Sequence, residues 1–307
     1  MSNRSRYAIV RRGCQRGFRW HDCGGSSSLD AWLIIGIGVA ALFAATFGSM
    51  LGLGGGVFLV PLLTLFLGID PRIAVGASAV CVVTNSVVGS TVHIRSGFTN
   101  LRMAMLLQIT TATGAIIGAL IALKVNANAI NVVLGLVLIY SAVSMLRQRR
   151  TVPPPPAPDA PDPWALRSAY DDPATKATVE YIPQRMETGM AISGGAGVLS
   201  GMLGIGGGAI QVPLMNLLMK VPVKAAAGTS SFMVGLTAVA TAAVFYSHDQ
   251  IDPRVVVPAM VGIFTGARLG SQITRRMQTQ RLVIVFVVVL AYLGISMILK
   301  AAGISLT

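Results

Sequence analysis

The chain has 307 residues, of which 53% are hydrophobic and 11% are charged, with a net charge of +13 and a mean hydropathy of +0.70. This composition leaves too little polar surface to cover a water-soluble globule of this size, so it predicts a membrane protein. The positive charge does not indicate a nucleic-acid partner, because the basic residues lie mostly at segment ends and in polar stretches, without a nucleic-acid-binding motif.

Residues 1–28 form a basic N-terminal tail that resembles the charged end of a signal peptide. It carries arginines before the first apolar run, at Arg4, Arg6, Arg11, Arg12, Arg16 and Arg19. Because that run is too long for the apolar core of a signal peptide, we interpret it as the first span of the mature chain.

Ten apolar segments follow in two groups, and they predict an all-α polytopic membrane protein with about five transmembrane or re-entrant helices in each group. Several segments reach about 18 residues, the length that crosses a bilayer as a helix. In the first transmembrane repeat, residues 29–146, they lie near 31–50, 54–69, 73–94, 103–123 and 129–146. In the second repeat, residues 188–301, they lie near 188–203, 206–219, 225–247, 255–273 and 282–300.

Residues 147–187 separate the two repeats and are rich in proline, aspartate and charge, including the run Pro153–Pro156. With few large apolar side chains, this Pro-rich polar stretch is predicted to be an extended, solvated linker. The short loops on the linker side of the repeats carry more Lys and Arg, so the positive-inside rule favours a cytoplasmic linker. The arginines of the tail favour the opposite arrangement, which leaves the side of the N-terminus open.

One glycine-rich signature occurs twice, with an offset of 152 residues (from position 50 to position 202). The first copy reads MLGLGGG over residues 50–56 and is followed by Pro61; the second reads MLGIGGG over residues 202–208 and is followed by Pro213. Other glycines and serines obey the same offset: Gly76 and Gly228, Ser78 and Ser230, Gly114 and Gly266, and Gly118 and Gly270. The agreement indicates an internal duplication.

The second segment of each repeat, 54–69 and 206–219, is short for a full crossing, and Pro61 and Pro213 are predicted as structural helix breaks within them. Each short segment either crosses fully or turns back as a re-entrant half. In both cases the first two segments return the chain to its starting side, and three further crossings make an odd total. The second repeat is therefore expected to run inverted relative to the first.

The acidic residues indicate which chemistry the membrane part lacks. All eleven lie in tails, loops or the linker, and none lies inside an apolar segment. Proton relays and cation sites within membranes usually employ Asp or Glu, so an anion pathway fits better. The cysteines Cys14, Cys23 and Cys81 form no disulfide or metal pattern, and no nucleophile–base set or P-loop is present. We therefore predict no enzyme, no catalytic residue, no cofactor and no metal.

The glycine triplets supply what an anion needs. Successive glycines let the backbone approach a ligand closely, and the helix that begins after them presents unpaired N–H groups and the positive end of its dipole. The candidate substrate-binding glycines are Gly52, Gly54, Gly55, Gly56, Gly204, Gly206, Gly207 and Gly208. The alternative is that these glycines only permit tight helix crossing, as small residues do in membranes.

Further candidates for substrate binding are polar side chains that follow the triplets. Hydroxyls and amides donate to sulfonate or carboxylate oxygens, although in a helix bundle they also bond between helices. These candidates are Ser78, Asn85, Gln211, Thr229, Ser230 and Ser231. Arg268 is the one fixed charge well inside an apolar segment; it either holds an anion through its fork of donors or extends to the membrane surface.

The paired G-x-G-G-G-x4-P units, the A-x-G-x-S segment after each and the closing G-x3-G resemble the sulfite exporter TauE/SafE family. The resemblance covers about residues 30–146 and 188–301 and leaves out the tail and the long linker, which depart from the compact family pattern. It implies a multi-pass inner-membrane carrier of sulfite, sulfonates, sulfoacetate or other small organic anions. It also implies that the two glycine triplets, with Pro61 and Pro213, belong to the shared motif.

Together these features predict a secondary transporter of a small anion, namely sulfite, an organosulfonate or a small carboxylate, in the inner membrane of a bacterium. Export by alternating access between the two repeats is the expected mechanism, and an anion channel or a membrane scaffold without transport activity are the alternatives. The expected partners are the lipid bilayer and the small anionic substrate, with no nucleic acid. Whether the chain forms a homodimer stays open.

Overall fold

A computed structural model describes residues 27–50, 53–95, 97–148, 162–172, 177–276 and 279–301. The compact unit that contains the features discussed below begins at Ile34. Gly52 of the first triplet lies outside the described residues, as do most of the basic tail and the proline run of the linker.

The chain folds almost entirely into helices, with one short hairpin between the two repeats. The first repeat contains α1 (Ser27–Met50), α2 (Gly56–Leu65), α3 (Pro71–Arg95), α4 (Leu101–Lys124) and α5 (Ala127–Gln148). The hairpin strands are β1 (Ser168–Asp172) and β2 (Ala177–Tyr181). The second repeat contains α6 (Met186–Leu203), α7 (Gly208–Pro213) with a π-helical turn (Leu214–Leu218), α8 (Val223–Ser247), α9 (Pro253–Arg276) and α10 (Thr279–Ala301).

Among the described helices, five are long and apolar enough to cross a membrane: Trp32–Met50, Pro71–Thr91, Leu101–Lys124, Ala127–Arg147 and Val223–Ser247. Large apolar side chains cover their outer faces, such as Ile109, which is 64% exposed, and Val239, which is 50% exposed. In water such a surface would be an association hazard, whereas in a bilayer it faces lipid. The predicted multi-pass helical membrane protein is confirmed.

The duplication is visible in the helix bounds. Shifting α3 and α4 by 152 residues gives 223–247 and 253–276, which are the bounds of α8 and α9. The helix contacts are duplicated as well: α4 packs against α6, and their counterparts in the other repeat, α9 and α1, pack against each other. Each of these four helices therefore packs against a helix of the other repeat.

At these two interfaces, glycines allow the helix backbones to approach each other closely. A Cβ atom at Gly118 of α4 would collide with the carbonyl oxygen of Val198 on α6, and one at Gly270 of α9 would collide with that of Thr46 on α1. Only glycine lets two helix backbones approach in this way. Contacts advance in the same direction along both partners, so α4 and α6 run parallel, and so do α9 and α1.

The helices that pair with their own repeat counterparts run antiparallel instead. Along α3 and α8, Val82 and Val234 pack in one small cluster, while Ser86 Oγ donates to the carbonyl oxygen of Ser231. Moving forward on α3 thus means moving backward on α8. Gly135 and Gly294 show the same relationship between α5 and α10, since a Cβ atom at each would press on Ile298 and Ile139, respectively.

The hairpin corrects the prediction of an extended, solvated linker for the part of residues 147–187 that the structure describes. Leu166, Tyr170 and Tyr181 are 1%, 7% and 4% exposed. The Tyr170 ring packs edge-on against Phe98, with ring centroids 5.2 Å apart, and Asn100 Nδ2 donates to the carbonyl oxygen of Leu166 at 3.0 Å. These few large side chains are enough to hold the hairpin against the loop between α3 and α4, because aromatic rings bury much area each.

Candidate functional site

Each glycine triplet forms a tight turn that ends where a short helix begins. Gly54 and Gly55 have φ angles of 83° and 75°, and Gly206 and Gly207 have φ angles of 74° and 84°, all in the left-handed region that favours glycine. Gly55 caps α2 and Gly207 caps α7. Within the described part of the chain, no hydrogen bond is made by the backbone N–H groups of Gly55, Gly56, Gly207 or Gly208.

The two turns meet in the middle of the bundle. Cβ atoms built on Gly54 and on Gly206 would both press on the side chains of Val82 and Val234. A Cβ atom at Gly56 would lie 2.9 Å from the carbonyl oxygen of Gly204. Ser78 Oγ, next to Gly56, donates to that same oxygen at 2.9 Å. The first turn therefore packs directly on the second, and valine side chains fill the space beside them.

Away from this contact, the first turn faces small apolar residues and one amide. A Cβ atom at Gly55 would lie 3.4 Å from Ala45 Cα, 3.5 Å from the carbonyl oxygen of Ala44 and 3.5 Å from Asn85 Nδ2. Asn85 is 2% exposed, and its Oδ1 has no partner among the described residues. The buried Asn85 amide is thus the nearest polar side chain on the Gly55 side.

The second turn faces a larger set of polar side chains. A Cβ atom at Gly207 would lie 3.2 Å from Ser200 Oγ and 3.5 Å from Gln211 Nε2. The Gln211 Nε2 donates to Thr111 Oγ1 at 3.4 Å, and Thr111 Oγ1 is 2.7 Å from Ser193 Oγ. Ser200, Gln211, Thr111 and Ser193 are fully buried, at 0% exposure. We call these four residues, three from the second repeat and Thr111 from the first, the second-repeat polar cluster.

Two atoms of the second-repeat polar cluster have no hydrogen-bond partner among the described residues: Ser200 Oγ and Gln211 Oε1. The buried polar side chains of the described part of the bundle are uncharged, so amides, hydroxyls and backbone N–H groups are the donors available there. Such donors bind an oxyanion without a fixed positive charge.

The structure does not bring Thr229, Ser231 or Arg268 to the turns. Thr229 Oγ1 accepts from the N–H of Asn100 at 3.1 Å, and Ser231 Oγ donates to the carbonyl oxygen of Ala227. Ser230 is buried on the same helix start. Arg268 is exposed on the outer face of α9, with its guanidinium 4.4 Å from the centre of the Phe264 ring, because Gly266 and Gly270 occupy the face toward α1.

The prediction that Pro61 breaks a helix is wrong. Pro61 lies inside α2, which continues to Leu65, and Pro213 is the last residue of α7 before the π-helical turn. Pro61 is the sixth residue of α2, so it lacks the N–H that would bond to the carbonyl oxygen of Val57, but the helix continues despite the loss of this one hydrogen bond. The breaks lie at the glycine turns, where the backbone becomes left-handed.

Comparison with known proteins decides the family: residues 37–297 match the family described as Sulfite exporter TauE/SafE. The chain belongs to this family. It is 28% identical to the "Probable membrane transporter protein YunE" of Bacillus subtilis (strain 168), over 85% of this chain and 95% of that protein. It is 27% identical to a "Probable membrane transporter protein" of Xylella fastidiosa (strain Temecula1 / ATCC 700964), over 81% of this chain and 87% of that protein.

A more distant TauE/SafE relative is the "Probable membrane transporter protein MJ0441" of Methanocaldococcus jannaschii, which is 23% identical over 88% of this chain and 96% of its own length. No solved structure matches this chain significantly. The family match and the multi-pass helical fold confirm the resemblance found in the glycine motifs, and they assign the chain to the membrane transporters.

For this TauE/SafE member, the sequence prediction missed Thr111, Ser193 and Ser200. Thr111 lies in a glycine-rich stretch where hydroxyls are typical of helix packing, and nothing local distinguishes it. The comparison of the two repeats would have identified it, because position 263, its counterpart at the offset of 152, is an isoleucine. A hydroxyl where the duplicate has a large apolar side chain indicates a role beyond packing.

Proposed function

We propose that this protein is a secondary transporter that moves a small anion, such as sulfite, an organosulfonate or a small carboxylate, across the membrane by alternating access. The observation that carries the proposal is the pair of glycine turns, buried at the centre of the bundle with backbone N–H groups that no described residue engages. The turns are surrounded by buried amides and hydroxyls and by no buried carboxylate of the described chain, which suits a negative cargo.

An inverted arrangement of the two repeats is part of the proposal. It is supported by the antiparallel packing of α3 on α8 and of α5 on α10, and by the parallel packing of α4 on α6 and of α9 on α1. Both relationships are those of a two-fold axis perpendicular to the helices. In transporters built this way, the two repeats rock around a fixed central site and expose it to one side at a time.

Export from the cytoplasm of a bacterium across its inner membrane is the proposed direction. An inside-negative potential favours outward movement of an anion by about 2.3 kcal/mol per charge per 100 mV. Uptake against that potential would need a coupled cation, and the apolar segments contain no carboxylate to hold one.

Binding is the first test. The purified protein would be heated with and without sulfite, ethanesulfonate or acetate, with chloride and sodium salts as controls. A ligand that binds only the folded protein raises its melting temperature by mass action, by an amount equivalent to about 2.7 kcal/mol at 100 times the dissociation constant. Stabilisation by at least one of these oxyanions is expected. Stabilisation by cations alone would contradict an anion transporter.

A further inference from the structure

The duplication makes it possible to ask which polar residues the fold itself requires. Each position of the second-repeat polar cluster has a counterpart at the offset of 152. Gln211, Thr111, Ser193 and Ser200 correspond to Leu59, Ile263, Ala41 and Gly48. The side chains of Leu59, Ile263 and Ala41 are as deeply buried as their polar counterparts.

The same packing position is therefore occupied by an apolar residue in one repeat and by a polar residue in the other. Three such replacements, together with Ser200 in place of Gly48, meet at one place, although a polar group buried in an apolar bundle is unfavourable unless it has hydrogen-bond partners. Two of the atoms concerned, Ser200 Oγ and Gln211 Oε1, have none among the described residues. Packing does not explain this concentration of polar groups.

The symmetry axis itself offers no comparable set of donors. Val82 and Val234, which are equivalent positions, occupy the axis and are fully buried. Among the atoms nearest to a Cβ atom built on Gly55, the only polar side-chain atom is Asn85 Nδ2, whereas Ser200 Oγ and Gln211 Nε2 both lie within 3.5 Å of a Cβ atom built on Gly207.

We infer that the anion binds off the symmetry axis, on the Gly207 side, between Ser200 and Gln211. The Ser200 hydroxyl and the amide N–H of Gln211 that Thr111 does not accept are the groups that donate to it, while the hydrogen bond to Thr111, itself 2.7 Å from Ser193 Oγ, holds the amide in place. The inference rests on the proposed function and makes it more specific: the two repeats are alike in fold, but one of them carries the recognition of the cargo.

The test exchanges polar residues for their repeat counterparts. Gln211→Leu removes the amide and keeps the volume, as Leu59 does, and Ser200→Ala removes the hydroxyl. The matched control is Gln108→Met, which likewise replaces a glutamine by the residue at its repeat counterpart, Met260. Gln108 is also a buried glutamine, 8% exposed, but its amide is paired with Thr237 Oγ1 at 3.2 Å and lies outside the cluster.

Binding of sulfite and ethanesulfonate to each purified variant is measured by calorimetry, and the melting temperature without ligand reports folding. We expect the dissociation constant to rise about tenfold or more in Gln211→Leu and in Ser200→Ala, as loss of a hydrogen bond to a charged ligand does, and to stay within about twofold in Gln108→Met. If Gln211→Leu does not fold, the binding constant of Ser200→Ala alone tests the site, because this variant removes only one oxygen atom and disturbs the packing least.

Unchanged binding in both cluster variants would overturn the off-axis site while leaving anion transport intact. Asn85→Thr, which introduces the residue found at its counterpart Thr237, tests the other turn. If it weakens binding as much as Gln211→Leu does, the off-axis site is also overturned, because the ligand would then contact both turns. If the wild-type protein binds neither anion, the proposed function fails, and this inference fails with it.

Discussion

Val82 and Val234, which hold the same position in the two repeats, meet at the centre of the bundle, and both glycine turns pack against both valines. The glycines and valines are thus parts of one contact rather than four independent features. This contact joins the two repeats at a pair of equivalent residues of α3 and α8. The alternating access proposed above requires this contact to change.

The contact predicts energetic coupling between Gly54 and Val234. Gly54→Ala is expected to destabilise the protein, by about 1–2 kcal/mol for the left-handed backbone and about 1–3 kcal/mol for the collision with the valine. In a Val234→Ala background the closer collision disappears, while the 3.2 Å contact with Val82 Cγ1 and the backbone strain remain, so the same change should cost at least about 0.5 kcal/mol less. Unfolding of the four proteins in detergent measures the coupling. Strict additivity would mean that the two side chains do not touch.

The close packing of α4 on α6 predicts a sharp difference between two glycines. Gly118→Ala should lower the melting temperature clearly, because the new methyl group meets the backbone of Val198, which cannot move aside as a side chain does. Gly195→Ala on α6 is the control, since no atom lies within 4 Å of its Cβ position. Alanine favours helix over glycine, so the control should melt at the same temperature or higher. Equal losses would contradict the described interface.

The hairpin predicts a loss of stability in alkali. Burial raises the pKa of the Tyr181 hydroxyl above its ordinary value of 10.0. The folded protein therefore keeps this proton at a pH where the unfolded chain releases it, and the stabilisation, complete below pH 10, is lost as the pH rises through the folded pKa. The melting temperature of wild type should thus fall more steeply than that of Tyr181→Phe as the pH rises above about 10.

Parallel curves for wild type and Tyr181→Phe would show that the Tyr181 hydroxyl is accessible in the folded protein. The hairpin would then not be held against Phe98 and Asn100 as described.

The helices and the positions of the glycine turns could be predicted from the sequence, because apolar length and the offset of 152 are properties of the chain alone. The surroundings of the turns could not. Arg268 lies in an apolar segment, but the sequence does not say which face of α9 packs against α1. Because the glycines of α9 occupy that face, Arg268 is left on the opposite, outer face. Ser200 and Gln211 are eleven residues apart and meet only because the turn at Gly207 folds α7 back onto α6.

The hairpin was missed for a related reason. The linker is proline-rich and polar as a whole, and its average composition hides Leu166, Tyr170 and Tyr181. Tyr170 and Tyr181 are brought close by antiparallel pairing of the strands, in which Ser168 faces Tyr181 and Tyr170 faces Val179. Three buried side chains on a short hairpin are too few to change the composition, but they are enough to fix its position.

Counterflow in proteoliposomes tests the central claim most directly. Vesicles loaded with unlabelled sulfite or ethanesulfonate receive a trace of the labelled anion outside. A carrier that alternates between two sides will accumulate label transiently above its equilibrium level, and it will do so faster than in empty vesicles. Equal uptake in loaded and empty vesicles would indicate a channel, and no uptake of any of these anions would contradict an anion transporter altogether.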